Sequence, residues 1–269
     1  MKKLIKNGIC ALGVSAFLAM TPIASLASGH GHGHGAAEAV KSLTPAETMK
    51  TIIDGNNQFK AHHDSHHFDA FQDGQTPNIT FITCSDSRVH THLFGMEPDN
   101  HEFVIRNVGN QIGNSEGSVD YGIHHLPTKV LVVLGHSSCG AIKAAMGDYS
   151  KETPGIKKEL EPLKPVLAHD DGQGTFKERW AKNVERNVDY QVNYSLKLYA
   201  DQVKSGDLAI VGAVYDFNDN YGKGRGTLVI TNVNGETNVE KIIDDPIFKD
   251  VSKGDVVSHV GSLTPAVNW

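Results

Sequence analysis

Five short apolar runs, separated by helical stretches, are the feature that most constrains how this chain can fold. The runs are rich in β-branched residues and have the length of strands: 79–83, 103–105, 130–134, 208–214 and 228–231. Apolar residues at helical spacing lie between them, at 118–125, 141–146 and in one long stretch at 176–204. Strands that alternate with helices form a mostly parallel sheet covered on both sides. The sequence therefore predicts an α/β fold in which 130–134, apolar at every position, is a central strand.

A helix is predicted ahead of the first strand. Thr44, Pro45 and Glu47 form an N-cap, a first-turn proline and a third-position glutamate. Apolar residues then recur at helical spacing, which predicts an amphipathic helix over 45–60. No internal repeat or linker divides the chain beyond this point, so we expect residues 42–269 to form a single α/β domain.

Two of the predicted strands lead directly into residues that can bind metal. The run 79–83 continues into Cys84-Ser-Asp86-Ser-Arg88, and the run 130–134 continues into Gly-His136-Ser-Ser-Cys139-Gly. Sites in open parallel sheets form outside the carboxyl ends of the strands, so Cys84, His136 and Cys139 are expected to converge. Two thiolates and one imidazole are typical of catalytic zinc sites, which keep the fourth position open. Thiolate ligands disfavour Mg²⁺ and Ca²⁺.

The neighbouring residues leave two kinds of zinc site open. Asp86 can be a fourth ligand that closes a structural site. Alternatively, Arg88 can hold Asp86 so that it accepts a hydrogen bond from zinc-bound water, which leaves zinc able to generate hydroxide near neutral pH. A third possibility is a disulfide between Cys84 and Cys139, because cysteine pairs in oxidising compartments commonly form one.

The two motifs together resemble the signature pair of the β-class carbonic anhydrases. The likeness extends from about residue 44 to 232. Within that span, four further segments agree with the family: 74–77, 103–110, 119–122 and 208–216. The resemblance implies reversible hydration of CO₂ to bicarbonate and a proton by zinc-bound hydroxide. It also implies Zn²⁺ on Cys84, His136 and Cys139, with Asp86 oriented by Arg88 as the acceptor of the hydroxide's hydrogen bond.

Substrate contacts also follow from the resemblance. Gln75 matches the donor to a substrate oxygen, which lies close to the partner subunit's site, and the backbone N–H of Gly140 assists. The apolar wall that suits a linear nonpolar substrate is matched by Phe103, Val108 and Tyr121. For Phe103 and Tyr121, simple core packing is an alternative.

The resemblance further implies a homodimer or tetramer, with the N-terminal helix as an arm that clasps the partner. Some family members close the site through a second bicarbonate pocket that contains a tryptophan. Phe81 stands at that position here. The open form with Asp86 paired to Arg88 is therefore favoured, and Arg106, which matches another residue of that pocket, is assigned a structural role.

The first residues are typical of a secretory signal peptide. Lys2, Lys3 and Lys6 precede an apolar run at 9–20, and small residues follow at 25 and 27. The run is shorter than the ~20 residues that a membrane span needs. We expect residues 1–27 to be removed, together with Cys10, and the mature protein to be periplasmic or secreted without a membrane anchor.

Histidine is unusually frequent, with fifteen in the chain. Residues 28–41 form a Gly/His-rich tail containing His30, His32 and His34, which is either a weak zinc collector or an incidental tract. The cluster at 62–67 is either a second metal-binding segment or a polar surface loop. Two alternative functions follow: a periplasmic zinc-buffering protein that uses the tail, and a CS₂ or COS hydrolase on the same fold. A net charge of −6 without long basic runs argues against a nucleic-acid partner.

Overall fold

The computed structural model describes residues 42–95, 97–267 and 269. The predicted signal peptide (1–27) and Gly/His-rich tail (28–41) lie outside these residues. The chain divides into two compact units, Met1–His62 and His63–Trp269. The described part of the first unit is helix α1, Pro45–His62. Its N-terminus has the predicted cap, in which Thr44 N–H donates to Glu47 Oε2 at 2.8 Å and Glu47 N–H donates to Thr44 Oγ1 at 3.2 Å.

The second unit is built on a five-stranded sheet with the order β2-β1-β3-β4-β5. The strands are β1 Ile79–Cys84, β2 Glu102–Asn107, β3 Val130–His136, β4 Ala209–Asp216 and β5 Thr227–Val233. All neighbouring pairs are parallel except β4 and β5. The predicted α/β fold is therefore confirmed, with β3 as the central strand.

Most of the helices pack on one face of this sheet. They are α2 Glu116–His124, α3 Gly140–Ala145, α4 Pro154–Leu160, α5 Lys164–Leu167, α6 Phe176–Leu198 and α7 Ala200–Ser205. Helix α6 lies especially close to β3 and β4, because a side chain at either Gly135 or Gly212 would meet a Val188 methyl at 2.7 Å. This contact fixes the depth at which the longest helix sits on the two central strands.

The opposite face is covered by smaller groups of residues. Near β1 and β3 it packs against Val89, Leu93 and Phe94, with the Phe94 ring stacked on Phe81 at 4.4 Å. Near β5 it packs against α8 Val239–Ile243 and α9 Lys253–His259. Among the described residues, none of the helices has the length and apolar character needed to cross a bilayer.

Two details differ from the sequence prediction. The helix predicted over 176–204 is two helices, since α6 ends at Leu198 and α7 begins at Ala200. Tyr199, between them, leaves the helical conformation at φ −117° and ψ 28° while its hydroxyl donates to Asp120 Oδ1 at 2.7 Å. The apolar periodicity continues through the break because the side chain of Tyr199 is fully buried. Helices α4, α5, α8 and α9 were not predicted.

Candidate active site

Three potential metal ligands converge at the carboxyl edge of the sheet. Cys84 is the last residue of β1, His136 is the last residue of β3, and Cys139 caps the N-terminus of α3. One ligand atom from each lies within 4.8 Å of the other two, and all three residues are buried. Both cysteines are free thiols. The structure therefore brings together the Cys₂His set that the two sequence motifs predict, and contains no disulfide between these two residues.

The histidine presents a free nitrogen to the two sulfurs. His136 is fully buried, and its Nδ1 lies 3.0 Å from the carbonyl oxygen of Ser137. That contact places the ring proton on Nδ1 and leaves Nε2 as a lone-pair donor. Nε2 is buried and has no hydrogen-bond partner among the described residues. A buried polar atom of this kind is costly unless something binds it, so the donor set fits a metal ion.

The two thiols differ in acidity because they share one hydrogen bond. The thiol of Cys139 donates to Cys84, and this lowers the pKa of Cys84 to about 4 against the opposing effect of burial. The same hydrogen bond, together with burial, raises the pKa of Cys139 well above its ordinary value. The shared hydrogen bond thus favours the thiolate form of Cys84 over that of Cys139, and a bound cation would favour both thiolates.

Asp86 is held beside this group by Arg88. The guanidinium donates twice to the carboxylate, from Nε to Oδ1 at 2.8 Å and from Nη2 to Oδ2 at 2.7 Å. The backbone N–H of Arg88 adds a third bond to Oδ1 at 3.0 Å. These hydrogen bonds hold the pKa of Asp86 well below its usual range. Oδ2 is 3.8 Å from Nε2 of His136, so the carboxylate borders the ligand set while its own partner is Arg88.

Arg106 fixes the loop that carries Asp86. Its guanidinium donates to the backbone oxygen of Cys84 at 3.0 and 3.2 Å and to that of Asp86 at 2.7 Å. A further hydrogen bond, from Trp180, holds the end of the turn that connects His136 to Cys139. Trp180 Nε1 donates to the carbonyl of Cys139 at 2.8 Å. The contacts of Arg106 are with backbone oxygens, so in this structure it shapes the loop between Cys84 and Asp86.

Two residues at this edge escaped the sequence analysis. Phe217 lies beneath the Arg88 guanidinium, with the cation 4.7 Å from the ring centre. Asn218 donates to Ser138 Oγ at 2.6 Å. Both follow directly after β4, so they lie at the same carboxyl edge as the ligands. The signal that indicates them is the carboxyl end of β4, because the ends of all the parallel strands meet at this edge.

The predicted substrate residues fall into two groups. Val108 follows β2, and Gly140 begins α3, so both lie at the carboxyl edge near the ligands. Gln75, Phe103 and Tyr121 lie towards the opposite edge. Gln75 precedes β1 by four residues, and Phe103 is near the start of β2, with its ring 5.8 Å from that of Tyr121. Tyr121 is 47% exposed, so core packing does not account for it, whereas Phe103 is partly buried and packs against the core.

Comparison with known proteins decides the family. The family model described as carbonic anhydrase matches residues 79–223, a span that contains all three candidate ligands. The chain belongs to the β-carbonic anhydrases. Carbonic anhydrase 2 of Mycobacterium tuberculosis is 30% identical to it over 187 residues, which are 65% of this chain and 90% of the relative.

Solved β-carbonic anhydrase structures share the fold. One of two tetrameric enzymes from Sordaria macrospora aligns with a TM-score of 0.57 at 29% identity, covering 63% of this chain and 92% of that one. The β-carbonic anhydrase CcaA aligns with a TM-score of 0.60 at 26% identity, covering 69% of this chain and 95% of that one. Most of each relative is therefore represented in this chain.

Proposed function

We propose that this carbonic anhydrase hydrates CO₂ reversibly to bicarbonate and a proton at a zinc ion held by Cys84, His136 and Cys139. Membership of the family supports the reaction, in preference to CS₂ or COS hydrolysis or zinc buffering. The observation that carries the metal assignment concerns Nε2 of His136, which is buried, has no hydrogen-bond partner in the part of the chain that the structure describes, and lies within 4.8 Å of two free thiols. Sulfur and imidazole ligands in this ratio suit Zn²⁺. Zinc bound by three protein ligands lowers the pKa of water and so supplies hydroxide near neutral pH.

Asp86 and Arg88 are proposed to orient the reacting water. The bidentate contact from Arg88 occupies the carboxylate and keeps it ionised. An ionised carboxylate 3.8 Å from the ligand nitrogen can accept a hydrogen bond from water at the site, which turns the oxygen lone pair towards the substrate. Because Arg88 competes for Asp86, the carboxylate stays out of the ligand set, and we propose the open form of the site.

The substrate surface is proposed to require a second subunit. Gly140 and Val108 border the ligands from the same chain. Gln75 cannot, because it lies before the start of β1, and Cys84 ends that strand about 17 Å further along. We therefore assign Gln75 to the site of a partner subunit, with Phe103 and Tyr121 on the same surface as part of its apolar wall.

We propose a homodimer as the smallest active assembly, with a tetramer built from it. Large apolar side chains are exposed around the proposed shared surface: Val104, Val108 and Tyr121. Such exposure is typical of an interaction site. The relatives from Sordaria macrospora are tetrameric. Sedimentation velocity on the purified protein measures this, and a monomer at micromolar concentration would contradict it.

We further propose that the protein is exported. The basic start, short apolar run and small residues at 25 and 27 support cleavage after residue 27 and release into the periplasm or medium. Intact-mass measurement of the protein recovered from cell fractions tests this. A full-length chain confined to the cytoplasm would contradict it.

Stopped-flow CO₂ hydration is the deciding experiment for the whole proposal. The zinc-loaded protein should accelerate hydration near pH 8, and removal of zinc by a chelator should abolish the acceleration. Cys139→Ser serves as the control that cannot hold the metal. A rate at background for the zinc-loaded protein would overturn the proposed function.

A further inference from the structure

A second group of metal-ligating side chains lies apart from the thiol site. His67, Glu97 and Asp99 bring one imidazole nitrogen and two carboxylate oxygens within 4.8 Å of one another. His67 comes from the histidine cluster at 62–67, for which the sequence left a metal site and a surface loop as alternatives. Its two acidic neighbours come from the segment just before β2. The fold thus brings two carboxylates to His67 from a segment thirty residues further along the chain.

The imidazole of this group is held in a defined position. Its Nε2 is 2.9 Å from Oδ2 of Asp99, and only 19% of the His67 side chain is exposed. The ring also makes edge contacts with Phe68 and Phe71, with centroids at 4.8 and 5.7 Å. A ligand held in this way loses little conformational freedom when it binds an ion. The segment after α1 is a turn in which residues 64–66 are exposed, as the surface-loop alternative has it, whereas His67 in the same turn is half-buried and packed.

We propose that His67, Glu97 and Asp99 form a second divalent-metal site, of the kind that binds Zn²⁺. Two ligands of a tetrahedral zinc ion lie about 3.3 Å apart, given metal–ligand distances of about 2.0–2.1 Å. The 2.9 Å between Nε2 and Oδ2 needs to open by only a few tenths of an ångström. A divalent cation also cancels the charge of two neighbouring carboxylates, which otherwise repel each other.

The donor set favours a zinc-like ion over the hard cations. Ca²⁺ takes six to eight oxygen ligands, whereas this group offers two carboxylates and a nitrogen. Imidazole suits zinc and its neighbours among the transition metals. A second imidazole is close by, since the His63 ring lies 4.5 Å from that of His67. This site differs from the Cys₂His centre in having no sulfur ligand, which gives it a separate spectroscopic signature.

The test counts bound metal on the full chain. In every sample His30, His32 and His34 are replaced by Gln, so that the Gly/His-rich tail does not add ions. The protein is stripped with a chelator under reducing conditions and equilibrated with Zn²⁺, and bound zinc is measured by mass spectrometry. The parent should bind about two ions per chain. His67→Gln and Glu97→Gln should each bind one, or bind the second at least about tenfold more weakly.

The controls separate this site from its surroundings. His66→Gln removes an imidazole that faces a single carboxylate, Asp69 Oδ2 at 2.7 Å, and should still bind two ions. Glu97 is exposed, so its replacement does not threaten folding. Titration with Co²⁺ should give one equivalent with thiolate charge-transfer absorption and one without it, the latter lost in Glu97→Gln. A parent that binds one ion, or variants that bind as tightly as the parent, would show that His67 and Asp99 form an ion pair and no metal site.

Discussion

At the carboxyl edge of the sheet, the residues proposed to bind the metal are different from those proposed to orient the reacting water. Cys84, His136 and Cys139 present donor atoms to one point, whereas Asp86 is occupied by Arg88. Each group can therefore be removed without the other. The residue-level predictions test this division.

Replacing Asp86 should reduce activity without removing the metal. Asp86→Ala leaves all three ligand atoms in place but deletes the carboxylate that orients water. We expect one tightly bound zinc at the Cys₂His site and a fall in CO₂ hydration of roughly 10²-fold or more. Zinc analysis together with stopped-flow rates measures both. Cys139→Ser is the counterpart and should lose the metal itself. Loss of zinc from Asp86→Ala would show that the carboxylate is a fourth ligand.

The two thiols should become vulnerable to oxidation once the metal is removed. Their sulfur atoms lie within 4.8 Å of each other, and dioxygen can accept the two electrons released as a disulfide forms. Under air, we expect the chelator-treated protein to lose two free thiols per chain while the zinc-loaded protein keeps them. Thiol titration of the denatured protein measures the loss. In Cys139→Ser this pair cannot form, and equal loss from both wild-type samples would contradict the prediction.

Residue identities at the site were predictable where they are contiguous in sequence. Cys84, Asp86 and Arg88 fall within five positions, and His136 and Cys139 within four. The contacts of Phe217 and Asn218 were not predictable in the same way. They depend on β4 lying beside β3, which follows from the order of strands in the folded sheet.

At the scale of elements, helix α6 packs on the two central strands and also buries an acidic side chain. Its valines contact the sheet at Gly135 and Gly212. Asp189, on the same helix, is buried, and its carboxylate accepts a hydrogen bond from Asn232 Nδ2 at 2.9 Å. Burial, with repulsion from Glu185, raises the pKa of Asp189 to about 8. The folded state therefore favours the protonated acid.

This raised pKa predicts a stability that falls as pH rises. An unfolded aspartate ionises near pH 4, so between about pH 4 and 8 the unfolded chain loses a proton that the folded chain retains. The contribution of Asp189 is fully present below pH 4 and is lost as pH approaches 8. Asp189→Asn should remove this dependence. Its melting temperature should exceed that of the wild type by several degrees at pH 8, and by less at pH 5.

Calorimetry of the zinc-loaded proteins at both pH values measures the difference. Asp201→Asn, at an exposed position of α7, is the matched control and should track the wild type. A gap between Asp189→Asn and the wild type that does not widen with pH would contradict the raised pKa.

Hydrophobic periodicity predicts strands and helices but does not predict every point at which a helix ends. Strand β3 was predicted because every residue of 130–134 is apolar, as a central parallel strand requires. The break between α6 and α7 was not predicted, because Tyr199 stands where the helical spacing of apolar residues expects one. Its hydroxyl, however, donates a hydrogen bond to Asp120 on helix α2. A tertiary hydrogen bond of this kind leaves no mark on the local sequence.

For the whole molecule, the direction of the strands sets which residues can share a site. Cys84 ends β1, and Gln75 lies before its start, so the two occupy opposite edges of one sheet. Thr76, next to Gln75, is fixed at that far edge by a hydrogen bond from its N–H to Asn100 Oδ1 at 2.6 Å. Gln75 can act on substrate only if a second copy of the chain brings it to the Cys₂His centre. The resemblance implies both the residue and a role at the partner subunit's site, and the direction of β1 supplies the physical reason.

Mixed dimers can test the shared site directly. Gln75→Ala and Asp86→Ala should each give a dimer with little activity, since every site lacks one group. In a dimer made of one chain of each kind, one site combines the intact Asp86 of the first chain with the intact Gln75 of the second. Co-expression with two affinity tags isolates this mixed dimer, which should recover about half of the wild-type rate per dimer because one of its two equivalent sites is complete.

The control is a mixed dimer of Asp86→Ala and Cys139→Ser. It should recover no activity, because these two residues belong to the same chain's site. Stopped-flow assay of the four dimers distinguishes the cases, and a mixed Gln75→Ala and Asp86→Ala dimer without recovered activity would place Gln75 outside the partner's site.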